Sequence, residues 1–462
     1  MNPILSSDQD KISIILGKTL SVAQQYFKKQ DDLPPGKFIP DILMEELPQK
    51  GIGAEATLDQ FEKNFADKIT NSAGSRYFGF VTGGSTPAAV AGDWLVSTYD
   101  QNACGSNDSI APQLERQTLH FLKQLLGIDP EYFGSFVTGA TMSNFTGLAL
   151  GRQWIGEQYG LDFSQDGLQA EAPVKVLSGT PHSSVIKSLS MLGVGRNHVI
   201  KIPALPNREA INVELLEDQL KKIGHPVIVV ANAGTVNTVD FDDLEAIGQL
   251  KKIYKFWLHI DAAFGGFAAL SQKHKHLMKG INHADSITVD AHKWLNVPYD
   301  AAMQFTRHQD LQLKVFQNSA AYLGDPGQSP DYFHYTPENS RRWRALPSWF
   351  TLMAYGIDGH REIVERNCAI AQKLGDYIQS SSNFKLLAPV RMNVVCFTLN
   401  KLELSSEMIK AFLQKVRDDG RVFFTPTVYQ GTPAIRAAVS NWLTSEKDID
   451  IAIEVLEQLV VK

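Results

Sequence analysis

Between about residue 85 and residue 306, short β-rich apolar runs alternate with stretches of helical period. The runs are "GSFVTG", "VKVLSG", "HVIKI", "PVIVVAN", "FWLHID", "SITVD" and "AMQFT". Between them the spacing predicts helices from Met142, after His182, near 212–223 and near 242–254. Ahead of them, "PQLERQTLHFLKQLLG" (112–127) is strongly amphipathic and ends at Gly127, a residue suited to closing a helix. Short apolar strands separated by helices predict an α/β fold, with a mainly parallel sheet covered on both faces.

The flanking regions read differently. Residues 1–80 suggest helices around the break "DDLPPGKFIPDIL". In "TLDQFEKNFADKI" (57–69), Leu58, Phe61, Phe65 and Ile69 share one face and Thr57 fits an N-cap. That stripe needs a surface to pack on, and a partner subunit fits. After residue 345, two long helical segments precede "NVVCFTL", a helix at 405–418, "RVFF", "AIRAAVS" and a last amphipathic helix. The expected organisation is a helical segment (1–80), a large α/β domain (81–345) and a small α+β domain (346–462).

Composition narrows the class. A chain of 462 residues is expected to form two or three domains. Its 44% hydrophobic content, 20% charged content and net charge of −6 describe a soluble protein without the basic field that nucleic acid or an anionic membrane would require. No window approaches the roughly 20 apolar residues of a membrane span, and the N-terminus lacks the basic start of a signal peptide. Cys104, Cys368 and Cys396 are scattered, which argues against a disulfide framework or a metal site and suits a reducing, cytoplasmic setting.

Candidate chemistry lies at the strand ends, where open α/β sheets bind ligands. "FVTGATMSN" puts Gly139, Ala140 and Thr141 between a strand and a helix start, where small residues and free N–H groups suit an anion. "SGTPHSSVIKSL" places His182 ahead of a helix, and "ANAGTVNTVDFDDL" places Thr235 at a strand end, with Asp242 read as a helix cap. "WLHIDAAFGGF" ends a strand at Asp261, followed by Ala262 and Ala263, which leave room for a flat ligand. "ADSITVDAHKWLNVPYD" runs from a strand straight into Asp290, His292 and Lys293. Charged groups at such a position are costly to bury unless something uses them. Pyridoxal phosphate accounts for the set: an anion site for its phosphate, a carboxylate for its ring nitrogen, an imidazole for its ring face and a lysine for its aldehyde.

These segments, with "SRRWRALPSWFTLMAYG" (340–356), resemble the group II pyridoxal-phosphate-dependent decarboxylases, fold-type-I enzymes that include aromatic-amino-acid and glutamate decarboxylases. The resemblance runs from about residue 40 to 360 and implies decarboxylation of an L-amino acid to its amine and CO2 in a homodimer whose sites lie at the interface. It implies a Schiff base at Lys293, Asp261 at the ring nitrogen and His182 stacked on the ring. It further implies Ala140 and Thr141 at the phosphate with His292 beside it, Ala263 under the ring and Thr235 on its oxygen side. The proton donor to Cα matches Tyr332, with Tyr335 as rival, beside a glycine- and proline-rich loop "GDPGQSP".

The chain departs from the family pattern at Asp290-Ala291 and at Pro347. The small, polar "GGSTP" in the pocket-shaping region speaks against an aromatic substrate. Arg436 reads as half of a structural ion pair that could otherwise meet a substrate carboxylate, and Cys104 as a buried thiol. Transamination or C–C lysis on the same fold, and a non-catalytic cofactor-binding role, stay open on the residues alone.

Overall fold

Seven strands build the central sheet: β1 (Phe133–Val137), β2 (Val176–Ser178), β3 (Val199–Lys201), β4 (Val227–Asn232), β5 (Phe256–Asp261), β6 (Ser286–Asp290) and β7 (Ala302–Thr306). The computed structural model describes residues 1–42, 44–105, 109–318 and 331–460. The strand order is β1-β7-β6-β5-β4-β2-β3, with β3, β2, β4, β5 and β6 parallel and β7 antiparallel to both its neighbours. The segment 291–301 joining β6 to β7 is too short for a helical crossover, so the chain must reverse.

Strands β4, β5 and β6 are buried along their whole length, as expected for strands covered on both faces. Helix Ala140–Gln158 lies directly on them. A Cβ at Gly147 would come within 2.6 Å of the His259 ring, so glycine sets the closeness of that approach. The helix begins at Ala140, two residues before the expected Met142.

A second, antiparallel sheet has the order β10-β11-β9-β8, with β8 (Phe384–Leu386), β9 (Val394–Leu399), β10 (Thr425–Tyr429) and β11 (Thr432–Ala438). It packs on helices Ser406–Asp419 and Glu446–Val460 and on the end of helix Ala345–Ser380, forming its own apolar core. The two helical segments expected after residue 345 meet at Gly356, whose φ of +58° kinks that long helix. "RVFF" contributes only a bridge from Phe423 to Tyr77, and the ladder starts at Thr425.

Two expected caps lie elsewhere. Gly53, not Thr57, precedes helix Ala54–Asn64, and the Thr57 hydroxyl donates back to the Gly53 carbonyl from inside it. Asp243, not Asp242, caps helix Leu244–Leu250. Asp242 is buried and accepts N–H groups from Ile211 (2.6 Å) and Asn232 (2.7 Å), and burial pushes its pKa up to about 6. It ties the chain before one helix to the end of β4.

Helices Pro3–Asp10, Ile12–Lys29 and Ala54–Asn64 bury no residue, and leave Leu16, Leu20, Phe27 and Phe61 exposed. No helix among the described residues is long and apolar enough to cross a membrane, and no metal-ligating cluster occurs among them.

"SRRWRAL" has a structural centre. Arg341 and Glu115 form a 2.6 Å ion pair with both side chains only 1% exposed. Arg341 also donates to the carbonyls of Phe136 (2.8 Å) and Ala103 (2.9 Å), while Glu115 accepts the Phe136 N–H. Breaking a buried pair from one side strands a charge. Glu115→Ala is therefore expected to destabilise the fold by about 3–5 kcal/mol, read from the midpoint of urea unfolding, while a control at an exposed loop residue, Glu403→Ala, changes it by less than about 0.5 kcal/mol.

Candidate active site

The carboxyl ends of β2, β4, β5 and β6 open on a cavity of about 320 Å³. Register aligns those ends: Asn232 of β4 lies beside Asp261 of β5, and Asp261 beside Thr288 of β6. Residues just past the strands consequently meet, although they are far apart in the chain. His182, Thr235, Asp261, Ala263, His292 and Lys293 all line this cavity. Larger clefts of about 690 and 510 Å³ exist elsewhere, but neither touches the ends of β5 and β6.

Lys293 sits in a single helical turn, Ala291–Trp294, that begins where β6 ends. The turn is clamped from several sides. Ala291 and His292 donate N–H to the Ala301 carbonyl at 3.0 and 3.1 Å, and the Trp294 indole donates to Asn367 at 2.9 Å. A Cβ at Gly83 would lie 1.7 Å from the Lys293 carbonyl oxygen, so only glycine fits there. The amine is 3.3 Å from Asp290 and 5.6 Å above the centre of the Phe264 ring.

Asp261 is 6% exposed. Its carboxylate accepts from the Asn144 amide (3.0 Å) and from the Ala263 N–H (3.2 Å). Ala263 is held against the next strand, its carbonyl accepting from Asp290 N–H at 2.8 Å. His182 caps helix Ser183–Met191 through Nδ1 and keeps an open face to the cavity. Desolvation by surrounding protein lowers the pKa of both His182 and His292, so both rings are neutral at neutral pH. The His292 ring packs 4.2 Å from that of Tyr299, whose phenol desolvation raises to about 12, with the Asp290 charge adding to it.

Ala140 and Thr141 open a 19-residue helix that has no side-chain cap, which leaves its first N–H groups free for an anion. Neither is among the residues that line the cavity. Gly139 before them has φ +154°, and a Cβ there would meet His292 at 3.4 Å. Thr235 donates to Glu209 at 2.6 Å and accepts from Asp240 N–H at 2.9 Å, so its hydroxyl is already engaged.

Tyr332 lies apart from this group. It is 1% exposed, its ring 4.4 Å from the Arg341 guanidinium, and burial pushes its pKa up. Tyr335 is likewise buried, its hydroxyl accepting from Gln309 at 2.9 Å. The loop "GDPGQSP" lies outside the described residues. Cys104 is a buried free thiol, as expected.

Arg436 overturns its expected role. Among the described residues it forms no ion pair; Nη2 reaches only the Phe80 carbonyl at 3.3 Å and Nε has no partner. Burial lowers its pKa to about 10, which still leaves a cation on the cavity wall at neutral pH. The argument from "GGSTP" also fails, because residues 83–87 do not line the cavity. Gly83 backs Lys293 and Thr86 caps a helix, while Phe80, Phe264 and Tyr299 supply aromatic wall.

Asn144 is a site residue that sequence reasoning missed. Its signal was a polar side chain, with Ser143, on the inward face of a helix whose next turns carry Gly147 and Gly151.

The chemistry fits pyridoxal phosphate on this structure's own terms: the cavity has a buried carboxylate, an amine and small residues, and an uncapped helix start lies behind His292 on its wall. Comparison with known proteins agrees. Residues 35–400 match the pyridoxal-dependent decarboxylase conserved domain. An aromatic-L-amino-acid decarboxylase of Bacillus atrophaeus is 27% identical over 428 residues, spanning 89% of this chain and 87% of that protein. Tryptophan decarboxylase 2 of Oryza sativa is 23% identical, spanning 95% and 92%. The fold matches the crystal structure of Oryza sativa TDC with PLP and tryptamine at a TM-score of 0.91, 20% identity and 100% and 99% coverage. Mouse CSAD matches at 0.88, 23% identity and 99% coverage of each chain. The chain belongs to the pyridoxal-dependent decarboxylase family, and its reaction is the pyridoxal-phosphate-dependent removal of CO2 from an amino acid.

Proposed function

We propose that Lys293, Asp261 and His182 form the catalytic centre, and that the substrate is an aromatic L-amino acid held by its carboxylate at Arg436. The carrying observation is the wall itself: a guanidinium with no ion-pair partner among the described residues faces the same cavity as Lys293, with Phe80, Phe264 and Tyr299 around it. Bound pyridoxal phosphate supplies the sink for the electron pair left at Cα when CO2 departs. Ala140 and Thr141 would hold its phosphate, with His292 beside them. Asp261 would keep a proton on its ring nitrogen, His182 and Ala263 would enclose its faces, Thr235 would border it, and Lys293 would hold it covalently. Arg436 orients the substrate. The Tyr299 phenol, protonated at neutral pH, is the tyrosine hydroxyl on this wall for returning a proton to Cα; Tyr332 would have to leave its packing against Arg341 to do so.

Mass spectrometry of products from a panel of aromatic, acidic and sulfinate amino acids tests the reading. An aromatic amine lacking CO2 is expected. An amine from an acidic substrate alone would overturn the substrate class, and a keto acid would point to transamination. Replacing Arg436 by Met is expected to raise KM roughly 10- to 100-fold, the value of a hydrogen-bonded charge pair. An unchanged KM would remove Arg436 from substrate binding.

We further propose a homodimer, supported by the uncovered apolar faces of the N-terminal helices. Sedimentation is expected to give twice the chain mass, and Leu16→Glu with Leu20→Glu to return it to one. The three cysteines are free and buried, which supports residence in a reducing, cytoplasmic compartment.

A further inference from the structure

A chain of buried hydrogen bonds runs behind the cavity. Trp257 Nε1 donates to Ser286 Oγ at 2.9 Å, and Ser286 Oγ lies 2.8 Å from His259 Nδ1. His259 Nε2 is 2.8 Å from Asn144 Oδ1. From Asn144, Nδ2 reaches both Asp261 Oδ2 and Ser184 Oγ at 3.0 Å. Ser184 Oγ is 2.7 Å from His182 Nδ1, which also accepts the Ser184 N–H at 3.2 Å.

The direction of these bonds is determined from the Asp261 end. Indole N–H can only donate, and a carboxylate can only accept. Because the Asp261 carboxylate takes an Asn144 N–H, Asn144 Oδ1 faces His259 Nε2; the proton of that neutral ring therefore sits on Nε2, and the Ser286 hydroxyl donates to the bare Nδ1. Nε2–H donates to Asn144 Oδ1, and the amide turns both its N–H groups toward Asp261 and Ser184. The Ser184 hydroxyl donates to His182 Nδ1. The flipped amide would set its oxygen 3.0 Å from the Asp261 carboxylate, two acceptors face to face. Asn144 and His259 are buried, and burial lowers the His259 pKa to about 4, so the ring stays neutral.

We propose that Asn144 is a positioning residue that joins the two halves of the site: one N–H orients the Asp261 carboxylate, and the other, through Ser184, holds His182 as the tautomer with its proton on Nε2. With Nδ1 taken by two donors, His182 cannot gain a second proton without breaking the chain, and its Nε2–H is left as the donor at the cavity. The inference rests on Asp261 and His182 serving the cofactor as proposed above.

Neutron diffraction from deuterium-exchanged crystals of the cofactor-loaded enzyme reads the arrangement directly. Deuterons are expected on His259 Nε2, on both amide positions facing Asp261 and Ser184, and on His182 Nε2. A deuteron on His182 Nδ1, or a flipped Asn144 amide, would overturn the proposal. If instead the cofactor density is not joined to Lys293 or stands away from Asp261, the assignment of the site fails while the relay is still read on its own.

The pH profile gives a second readout. His182 faces the charges of Asp261, Asp290, Lys293 and Arg436, which Ser184 substitutions leave in place. Ser184→Ala and Asn144→Leu each weaken the hold on Nδ1, so the acid limb of kcat is expected to move to higher pH by about one pH unit, the worth of one hydrogen bond. Ser184→Thr, which keeps the hydroxyl, should restore it. A uniform loss of kcat with the limb unmoved would leave Asn144 and Ser184 a packing role only.

Discussion

Replacing Lys293 by alanine should lower turnover by about four orders of magnitude or more, because no second lysine among the described residues lines the cavity to take its place. The turn that carries it buries Ala291 and Trp294 rather than the lysine, so the variant should fold with its melting temperature little changed. Borohydride reduction followed by peptide mass spectrometry checks the cause separately from the rate. In the wild type the cofactor's mass should appear on the peptide containing residue 293, and in the variant on none. Near-normal turnover by Lys293→Ala would remove the lysine from the mechanism.

Asp261→Ala is the next largest effect expected, a fall in kcat of about 10²–10³-fold. The carboxylate is a buried, preorganised charge at the end of β5, held by Asn144 and by the Ala263 N–H, so it contributes without reorganising during reaction. Its removal should also weaken retention of pyridoxal phosphate, measured by dialysis and absorbance. Asp261→Asn distinguishes charge from shape: it preserves size and can still accept from Asn144, so it should lose nearly as much activity as alanine. Recovery of activity in the asparagine variant would mean that the charge is not used.

Both effects concern residues that are legible in the sequence itself. Strand-forming runs that end in Asp261 and in Asp290-Ala291-His292-Lys293 stand out because burial of such groups needs a reason. The alternation of strand and helix likewise leads directly to the parallel sheet, and Gly127 closes its helix in the left-handed conformation as its position suggests. These are local signals, carried by a few neighbouring residues.

The departures from expectation have a common physical origin. Thr57 and Asp242 are good capping residues in isolation, yet the helices begin elsewhere: Asp8 accepts the Ala54 N–H ahead of Thr57, and the Asp242 carboxylate is taken by the N–H groups of Ile211 and Asn232. Arg436 reads as an ion-pair residue by type, but the strand that carries it points it at a cavity where no carboxylate among the described residues pairs with it. "GGSTP" looks like pocket lining and is instead the support under Lys293. Asn144 shows locally only a polar side chain on an inward helix face; its role depends on partners 40, 115 and 117 residues away.

The order of residues alone determined the alternating architecture, through short-range periodicity, and the class of chemistry, through the motifs that carry the family resemblance; the cost of burying charge marked the lysine and carboxylate proposed to anchor it. The tertiary structure decided which side chains line the cavity, that Arg436 has no ion-pair partner among the described residues, that Tyr332 packs on Arg341, and that hydrogen bonds through Asn144 link Asp261 to His182. Those properties depend on strand register and on approaches between distant segments, and hydrogen-bond direction exists only once the partners have met.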